Sequence, residues 1–490
     1  MDEAVIADPT YLGEIRHFFE PEDIEHMGLL GVDLSTYEAL KERATSVYFR
    51  TKPPNATMPP DPARQWSEER SETFANWIRN GFPLGEPTPQ VPPPVIEDAG
   101  RVRKDASALD QDEIEALRVA FQGIMDRPPD HPAGYFVLAG KHWFPAPNEC
   151  LHHEDRFYPW HRAYIKEFED ALRSVDGAES VTLPYWDIKQ RPPDFLYEPP
   201  FDSYTLPEDI HRRFPAGYQT TRFDPDTILQ NVVDNQIPEI IDYALGQPIW
   251  GDFISYERFG IEAAHDAGHG ATGETLSVPD AASFDPIFWL FHTNWDRLWW
   301  QWQQTMNATT LTTFRSTILG STDFLEPPFN DLRPFADTAD ETIDLAAVGI
   351  SYGPPAERGP ELAPTVRPAL AGSLPAREGI RVQETPQASV RLKDIERLSI
   401  PGSFRVILRA DGEEIGRRTF FQSSEPVDCT SCREKAKINL DFLVDVDQVL
   451  GKALSTSIET ITPDPALRGP IPLAATGNPT LNVRLLMERS

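Results

Sequence analysis

The stretch CLHHEDRFYPWH, residues 150–161, holds three of the chain's 11 histidines and one of its three cysteines. Imidazole and thiolate are side chains that bind transition metals readily. In the helix predicted over residues 160–172, His161, Ile165 and Phe168 share one apolar face. A histidine on such a face points into a protein core. For His161 alone, a hydrogen-bonded core histidine is therefore the simpler interpretation.

Two further histidine segments favour metal binding. In IEAAHDAGHG, residues 261–270, His265 and His269 are four residues apart on one helix face, a spacing that lets two imidazoles bind one ion. Gly270 is placed to end that helix. In FDPIFWLFHTNWDRLWWQW, residues 284–302, His292 lies on an aromatic helix face. Asp296 follows one turn later, where a carboxylate can orient the helix or the imidazole. The alternative is an aromatic core helix with an incidental histidine.

Helices that present histidines inward, without an obvious carboxylate or cysteine ligand, predict sites built from imidazole alone. Imidazole binds copper, zinc, iron and nickel, and the affinity order favours Cu²⁺. A hydrolase with histidine-bound zinc is the competing interpretation. Such a hydrolase needs a nearby acid or base for water activation, for which Glu154 or Asp266 is available.

These motifs, in this order, resemble the type-3 copper proteins, the family of tyrosinases, catechol oxidases and haemocyanins. The resemblance covers about residues 95–345. Its first motif is made of His152, Phe157, Trp160, His161, Arg162 and Glu169. Its second motif is made of Asp285, Pro286, Phe288, His292 and Asp296. The segment LPYWD at 183–187 is also similar to the family's sequences.

The resemblance implies two copper ions, each bound by three imidazoles. The family pattern assigns the first ion to His142, His152 and His161. It assigns the second ion to His265, His269 and His292. His131 is the alternative to His142 as the first ligand. His153 is expected to be a neighbour of the ligands, because the family's second ligand lies nine residues before the histidine of the Trp-His motif.

Other positions of the motifs bear on the chemistry. Cys150 and His152 have the spacing of a Cys-x-His pair that is cross-linked as a thioether in several family members; an ordinary buried cysteine is the alternative. Asp266 stands where relatives that hydroxylate monophenols often have Asn, and it is expected either to hold a water with Glu262 or to act as a base. Phe291 stands where many relatives have a second histidine.

The resemblance implies a dicopper oxidase that uses O2 to oxidise small phenolic substrates, namely o-diphenols, to o-quinones. Hydroxylation of monophenols stays open because of Asp266. An o-aminophenol oxidase and an oxygen carrier like haemocyanin are the alternatives. The chain has no multi-unit repeat, which makes the carrier the weaker of them.

The composition excludes several other classes of function. The chain has 490 residues with 77 acidic and 45 basic side chains, a net charge of −32. Such a surface repels phosphate backbones and anionic lipids, so nucleic-acid and membrane partners are not expected. No apolar run approaches the roughly 18 residues of a membrane span. The first residues, MDEAVIADPT, have no signal-peptide pattern, so a cytoplasmic location is the default expectation.

The helices and strands predicted around these residues indicate a multidomain, mainly α protein. A central catalytic domain at 95–352 is expected to hold the dicopper site inside a four-helix bundle. It is preceded by a helical domain at 1–85 and a proline-rich linker at 86–94. The N-terminal domain resembles the end of a small cytochrome c domain but lacks a haem-attachment motif, because no cysteine precedes Cys150.

The C-terminal part is predicted to be an antiparallel β domain at 379–490, after a second linker at 353–378. The segment SFRVILRADGEEIGRRTFF predicts two strands joined at an Asp411-Gly412 turn. In the family an extra domain often shields the copper mouth with one apolar side chain, and Phe420 or Phe421 is a candidate. Cys429 and Cys432 are expected to be non-catalytic, either as a disulfide or as a transient copper-loading pair.

Overall fold

A computed structural model gives the architecture of the chain. It describes residues 5–84, with gaps at 12, 20–22, 25–26, 28–33, 35–36, 54–55 and 60–63. It also describes residues 100–486, with gaps at 144–149, 211–213, 357–386, 425, 428–431, 434 and 462–468. The chain divides into two compact units, Met1–Val95 and Ile96–Ser490. The predicted linker at 86–94 and most of the linker at 353–378 lie outside the described residues, and the predicted domain boundaries stay predictions.

The first unit contains a short 3-10 helix, Ile15–Phe18, and two longer helices, α1 (Tyr37–Thr51) and α2 (Glu68–Arg79). The Ser67 side chain caps α2 by accepting a hydrogen bond from the Arg70 backbone N–H. Gly81, at φ +80°, ends α2. The core of this unit is aromatic, with Trp77 and Phe74 fully buried.

The second unit is mainly helical from 100 to 325. Its helices are α3 (Gln111–Met125), α4 (Tyr135–Gly140), α5 (Phe157–Arg173), α6 (Pro225–Asp234), α7 (Ile237–Leu245), α8 (Trp250–Phe253), α9 (Ile261–Thr272), α10 (Pro279–Ala282), α11 (Ile287–Thr305) and α12 (Leu311–Thr317). Short 3-10 helices lie at Ala106–Ala108, Asp194–Tyr197, Glu274–Ser277 and Asp323–Leu325. Helix α3 begins with a capping box, in which the Asp110 side chain accepts from the Glu113 N–H and the Glu113 side chain accepts from the Asp110 N–H. None of the helices in the described residues is long and apolar enough to cross a membrane.

The C-terminal part of the second unit is built from strands. They are β1 (Arg101–Arg103), which pairs in parallel with β2 (Ile350–Tyr352), then β3 (Gln387–Glu396), β4 (Phe404–Ala410), β5 (Glu413–Phe420), β6 (Lys437–Asp445), β7 (Leu454–Thr460), β8 (Gly469–Ile471) and β9 (Thr480–Leu486). The last seven form two antiparallel sheets, in the orders β6-β3-β9 and β5-β4-β7-β8. This part also contains the 3-10 helices Arg397–Ser399 and Leu473–Thr476 and a short helix α13, Val446–Val449. Residues 387–486 are called the β region below.

The predicted hairpin of the β region is confirmed. Strands β4 and β5 pair in antiparallel register, and the chain turns at Asp411 and Gly412. Both turn residues have positive φ, +51° and +90°, as a two-residue turn of the primed type requires. An apolar core of its own, which includes Phe404, Phe420 and Leu440, lies within the β region.

Helix α9 departs from the prediction, because it does not end at Gly270. It continues to Thr272 and ends at Gly273, which has φ +54°. A Cβ on Gly270 would lie 3.1 Å from Thr419 Cγ2 on β5. The glycine at 270 therefore allows strand β5 to approach the helix closely, and the backbone freedom of Gly273 supplies the stop.

Helix α5 contacts both α3 and α11, and α9 contacts α6, α7 and strand β5. These contacts assemble the mainly α part of the unit around one apolar core. The more specific four-helix bundle stays a prediction.

A buried ionic network fixes α5 and α11 beside each other. The Asp296 carboxylate accepts hydrogen bonds from Arg162 Nε at 2.6 Å, Arg103 Nη1 at 3.3 Å and the Tyr352 hydroxyl at 2.6 Å. Arg103 also binds Glu169 at 3.0 Å. Asp296 therefore orients the helix, the first of its two predicted roles; neither ring nitrogen of His292 hydrogen-bonds to a described residue.

We expect Asp296→Asn to lower the free energy of unfolding by about 3–5 kcal/mol, because two buried guanidinium groups would lose their shared counter-charge. Urea denaturation followed by tryptophan fluorescence measures the change. The exposed Asp130 offers a matched control, for which Asp→Asn should change stability by less than about 0.5 kcal/mol. Equal effects of the two substitutions would contradict this role for Asp296.

Candidate metal centre

Six histidines from separate segments converge inside the second unit. His161 and His292 stack in parallel, with ring centroids 4.5 Å apart. His265 and His269 lie 4.5 Å apart on α9. His152 connects the two groups, since its ring is 5.1 Å from His161 and 5.2 Å from His265. All of the predicted histidines are buried: His142, His152, His161, His265, His269 and His292.

The local structure explains why these rings point inward. His161 lies in the first turns of α5, on the face that also buries Ile165 and Phe168. The four-residue spacing on α9 places His265 and His269 on one face, as expected. His142 follows the short helix α4, and the backbone carbonyl of His142 accepts a hydrogen bond from the Cys150 N–H at 3.0 Å. That bond brings the loop that carries His152 back beside His142.

Backbone carbonyls fix the orientation of three of the imidazoles. His161 Nδ1 lies 2.8 Å from the Phe157 carbonyl, and His269 Nδ1 lies 2.8 Å from the Leu276 carbonyl. His142 Nδ1 lies 3.2 Å from the Pro279 carbonyl. A carbonyl only accepts, so each Nδ1 must carry the proton. The lone pair of each neutral ring is therefore on Nε2, which is the arrangement of metal-binding histidines.

The Nε2 atoms are suited to hold a metal. Those of His142, His152, His161 and His292 are buried and make no hydrogen bond to any described residue. Those of His265 and His269 face each other at 3.0 Å. Unpaired buried imidazole nitrogens are costly unless a ligand satisfies them. The donor set therefore fits metal ions held by neutral nitrogen ligands.

Burial also keeps the rings uncharged. It is the main cause that lowers the pKa of all six imidazoles, and it lowers the pKa of His142 to about 3. Neighbouring imidazoles lower the pKa of His152 and His265 further. Neutral rings are the form that binds a metal ion.

Three groups of donors within the described residues have ligand atoms within 4.8 Å of one another. They are His265, His269 and His292; His142, His161 and His292; and His142, Cys150 and His152. The first group matches the predicted second copper site. The predicted ligands of the first copper are split between the other two groups. His161 and His142 are grouped with His292, whereas His152 and His142 are grouped with Cys150. The division of six histidines between two ions stays a proposal.

The two other predictions for this segment concern Cys150 and His131. Cys150 is buried, and its Sγ lies 2.9 Å from His152 Nδ1. This close approach fits a hydrogen bond or a bond to the neighbouring ring carbon, so the thioether stays a prediction. His131 is not in any of these donor groups. Its Nδ1 accepts a hydrogen bond from the Ala133 N–H in a turn.

The predicted acidic residues lie beside the cluster, and His153 joins them. His153 Nε2 lies 2.9 Å from Asp266 Oδ2, and the His153 N–H donates to Glu262 Oε1 at 2.7 Å. Asp266 Oδ1 is 3.2 Å from His265 Nδ1. Burial, followed by the charge of Asp266, raises the pKa of Glu262 well above its usual value. His153 is thus a buried neighbour that orients Asp266 and is not solvent-facing.

The β region closes the cluster with one aromatic ring. Phe421 stacks on His269 with centroids 3.9 Å apart and an interplanar angle of 14°. Its backbone N–H donates to Asp266 Oδ2 at 3.1 Å. Phe420 belongs to the core of the β region, where it stacks on Phe404, and its ring also stacks on His153 with centroids 4.5 Å apart. Strand alternation therefore places Phe421 on the ligand histidine and Phe420 between the β core and His153.

Cys432 is disulfide-bonded and lies on the wall of a cavity that reaches Cys150. Its predicted partner in the Cys-x-x-Cys motif, Cys429, lies outside the described residues. Whether the pair has a copper-loading role stays a prediction.

Some residues of the centre have no signal in the sequence. The carbonyls of Pro279 and Leu276 reach the histidines through the chain path after α9, which no motif indicates. Arg397 lines the neighbouring cavity although it lies about 130 residues after the two histidines of α9 in the sequence. Phe421 had a signal, since it is one of two adjacent aromatics near the end of a predicted strand.

Comparison with known proteins agrees with these motifs. The model of the common central domain of tyrosinase matches residues 132–235 and 198–305. The chain is 34% identical over 227 residues to haemocyanin β-C chain unit D of Helix pomatia, a match that covers 42% of the chain and 52% of that unit. It is 30% identical over 221 residues to haemocyanin 2 of Megathura crenulata, covering 41% of the chain and 6% of that protein. The matched region therefore spans at most about half the length of these relatives.

Solved structures show a similar fold. A tyrosinase from Burkholderia thailandensis superposes with a TM-score of 0.57 at 20% identity, covering 79% of this chain and all of that one. A mushroom tyrosinase superposes with a TM-score of 0.57 at 18% identity, covering 79% of this chain and 92% of that one. The fold is thus tyrosinase-like, with a mainly α part and antiparallel sheets in its C-terminal part. The family binds two copper ions, which the histidine groups could hold. Residues 132–305 thus form a domain that matches the common central domain of tyrosinase, and its histidine groups are similar to those of the type-3 copper proteins.

Proposed function

We propose that the chain is a dicopper oxidase that uses O2 to oxidise o-diphenols to o-quinones. The observation that carries the proposal is the set of six buried, neutral histidines whose Nε2 atoms are turned toward one another. His142, His152 and His161 would hold one copper ion, and His265, His269 and His292 the other. The copper pair, when bound, supplies dioxygen binding and two-electron oxidation of a phenolic substrate.

The chain's own residues supply orientation and a dry environment. Hydrogen bonds from Nδ1 to the carbonyls of Phe157, Leu276 and Pro279 hold the rings of three ligands. Phe288 packs against His292, with ring centroids 4.2 Å apart, and Phe291 packs against His269 at 4.7 Å. These aromatic walls exclude water and keep the imidazoles in place.

The position of Phe421 supports an aromatic substrate. Its ring stacks on His269. A phenol ring that approached the copper pair from this side would take the same place once the Phe421 ring is displaced. The β region would thus act as the shield predicted for the domain at 379–490. Most of the predicted linker at 353–378 lies outside the described residues.

Asp266 and Glu262 are the proposed catalytic acids and bases. Asp266 Oδ2 binds both His153 Nε2 and the Phe421 N–H, so it gains a free acceptor position when Phe421 leaves. That position would take the proton of a phenol hydroxyl near His265. Glu262, held by the His153 N–H, would support a water beside Asp266. Hydroxylation of monophenols would depend on this pair.

An oxygen carrier is the second candidate function. Two observations favour it: the matched relatives include haemocyanins, and Phe421 covers His269 so closely that a phenol cannot lie there in this conformation. A hydrolase with zinc has weaker support, because Glu154, one of its two candidate bases, is ion-paired with Arg156 at 2.9 Å.

We expect the copper-loaded chain to consume oxygen with o-diphenols, and Phe421→Ala to do so roughly tenfold faster. Removing a stacked ring pair worth about 0.5–1.5 kcal/mol frees the substrate position. The gain should be larger for a bulky o-diphenol than for catechol. Oxygen uptake on a monophenol, an o-diphenol and an o-aminophenol, with copper content measured in the same samples, tests this and identifies the preferred substrate.

Phe329→Ala is the matched control, because Phe329 is 61% exposed and its loss should leave turnover unchanged. Reversible oxygen binding without turnover of any of the three substrates, in both the parent chain and Phe421→Ala, would contradict the oxidase and favour the oxygen carrier. A purified chain that contains zinc and no copper would contradict both the oxidase and the oxygen carrier.

We expect His152→Ala and His265→Ala to reduce copper binding strongly, while His153→Ala retains most of it. The first two substitutions remove Nε2 donors of the cluster, whereas His153 binds Asp266 with its own Nε2. Elemental analysis after dialysis against a weak chelator measures the difference. Equal copper loss in His153→Ala and His152→Ala would exclude the proposed ligand set.

We further expect a thioether between Cys150 and His152, given the 2.9 Å approach of Sγ to the ring. The bond would lower the mass of the copper-loaded chain by two hydrogens relative to the unlinked side chains. Alkylation followed by peptide mapping locates the change at residues 150–152 and separates it from the Cys432 disulfide. A peptide in which Cys150 is fully alkylated would argue for an ordinary buried cysteine.

A further inference from the structure

A cavity lies beside the histidine cluster, with walls from both the helical part and the β region. The space inside it that no atom fills is about 480 Å³, a figure that includes open solvent. Cys150 and His152 form part of its wall. The rest of the wall combines apolar side chains, polar groups and two cations; the members used below are Trp143, Pro279, Glu154, Arg397 and Lys435.

Arg397 is the unusual member of this wall. It is only 3% exposed. Its Nε donates to the Gln422 side-chain oxygen at 3.0 Å, and its guanidinium plane lies over the Phe420 ring at 4.8 Å. Within the described residues, its two terminal amino groups make no hydrogen bond, and no carboxylate lies within ion-pair distance. The guanidinium is therefore a buried cation without an ion-paired carboxylate, although the nearby Tyr256 and Asp266 favour its charged form.

Burying an unpaired charge costs several kcal/mol unless an anion or further hydrogen bonds offset it. Burial lowers the pKa of Arg397, but only to about 10, so the group is still a cation at neutral pH. Proteins seldom retain such a group without a partner. A ligand that brings a negative charge would supply the missing partner.

The other charged groups around the cavity leave it cationic. The Lys435 ammonium donates to the His153 carbonyl and adds a second positive charge. Glu154 is the acidic group on the wall, and it is already ion-paired with Arg156 at 2.9 Å. Asp266, behind His153, is bound to the His153 ring at 2.9 Å. An anion in the cavity would therefore meet two cations and acids that are already engaged.

We propose that this cavity binds a small aromatic carboxylate, held by the terminal amino groups of Arg397. The planar fork of a guanidinium matches the two oxygens of a carboxylate and gives parallel charge-assisted hydrogen bonds. Trp143 and Pro279 supply apolar wall for the ring, and Lys435 adds a second positive charge. The site borders the histidine cluster at Cys150 and His152, but the contact with Arg397 does not require the oxidase activity proposed above.

Benzoate is the probe, titrated into the copper-loaded full-length chain by calorimetry and followed by the shift in melting temperature. The parent chain should bind benzoate at least tenfold more tightly than benzamide, which has the same shape without the charge. Arg397→Gln should weaken benzoate binding by roughly 10- to 100-fold, the effect of losing hydrogen bonds to a charged group. Arg397→Lys, which keeps the charge without the fork, should have an intermediate affinity.

Arg405→Gln is the matched control, because Arg405 is a largely buried arginine of β4 that is not part of the cavity wall. It should leave benzoate binding unchanged. Equal affinity of Arg397→Gln and the parent chain would mean that benzoate binds elsewhere, such as at copper, and would overturn the proposal. If Arg397→Gln does not fold, Arg397→Lys and the comparison with benzamide test the proposal instead. Equal affinity of the parent chain for benzoate and benzamide would overturn the proposal. A chain that binds benzoate at Arg397 but oxidises no phenol would refute only the proposed oxidase.

Discussion

The orientation of buried, neutral imidazoles is the constraint on which the rest of this structure depends. An acceptor for the Nδ1 proton fixes a histidine ring with its Nε2 toward a metal. For His269 that acceptor is the Leu276 carbonyl, which lies seven residues further along the chain. The chain must therefore turn back directly after α9, and the positive φ of Gly273 together with the 3-10 helix Glu274–Ser277 achieves this turn. The next segment then delivers the Pro279 carbonyl to His142.

The rings also need helices that do not move relative to one another. Four ligands lie on α5, α9 and α11, and α5 is tied to α11 by the bonds from Arg162 and Arg103 to Asp296. A buried ion pair of this kind contributes little net stability compared with an apolar contact. Its value is geometric, since an arginine fork and a carboxylate fix both distance and rotation. The network thus serves the positioning of His161 and His292 more than the folding of the core.

Much of this arrangement could be predicted from the sequence, because helix periodicity and capping are local. The faces of α5 and α9 and the capping box of α3 follow from residues a few positions apart. The predicted end of α9 was wrong for a non-local reason. Gly270 allows the side chain of Thr419, about 150 residues away in sequence, to pack close to the helix. Partners such as the Leu276 carbonyl are backbone atoms, which leave no trace in residue types. The buried state of Arg397 likewise depends on how the β region packs, and an isolated arginine in a sequence is expected at the surface.

In the proposed oxidase, Asp266 would couple the covering of the centre to its reactivity through a single carboxylate. Its Oδ2 accepts from the Phe421 N–H and from His153 Nε2, and its Oδ1 lies against His265. While Phe421 is stacked on His269, the carboxylate that would receive a substrate proton is occupied by the backbone of the covering strand. The ring and the backbone N–H of one residue therefore block the substrate position and the base together. Displacing Phe421 would free both at once, so that an entering substrate would find the proposed base available, whereas the covered centre has neither an open position above His269 nor a free acceptor on Asp266 Oδ2.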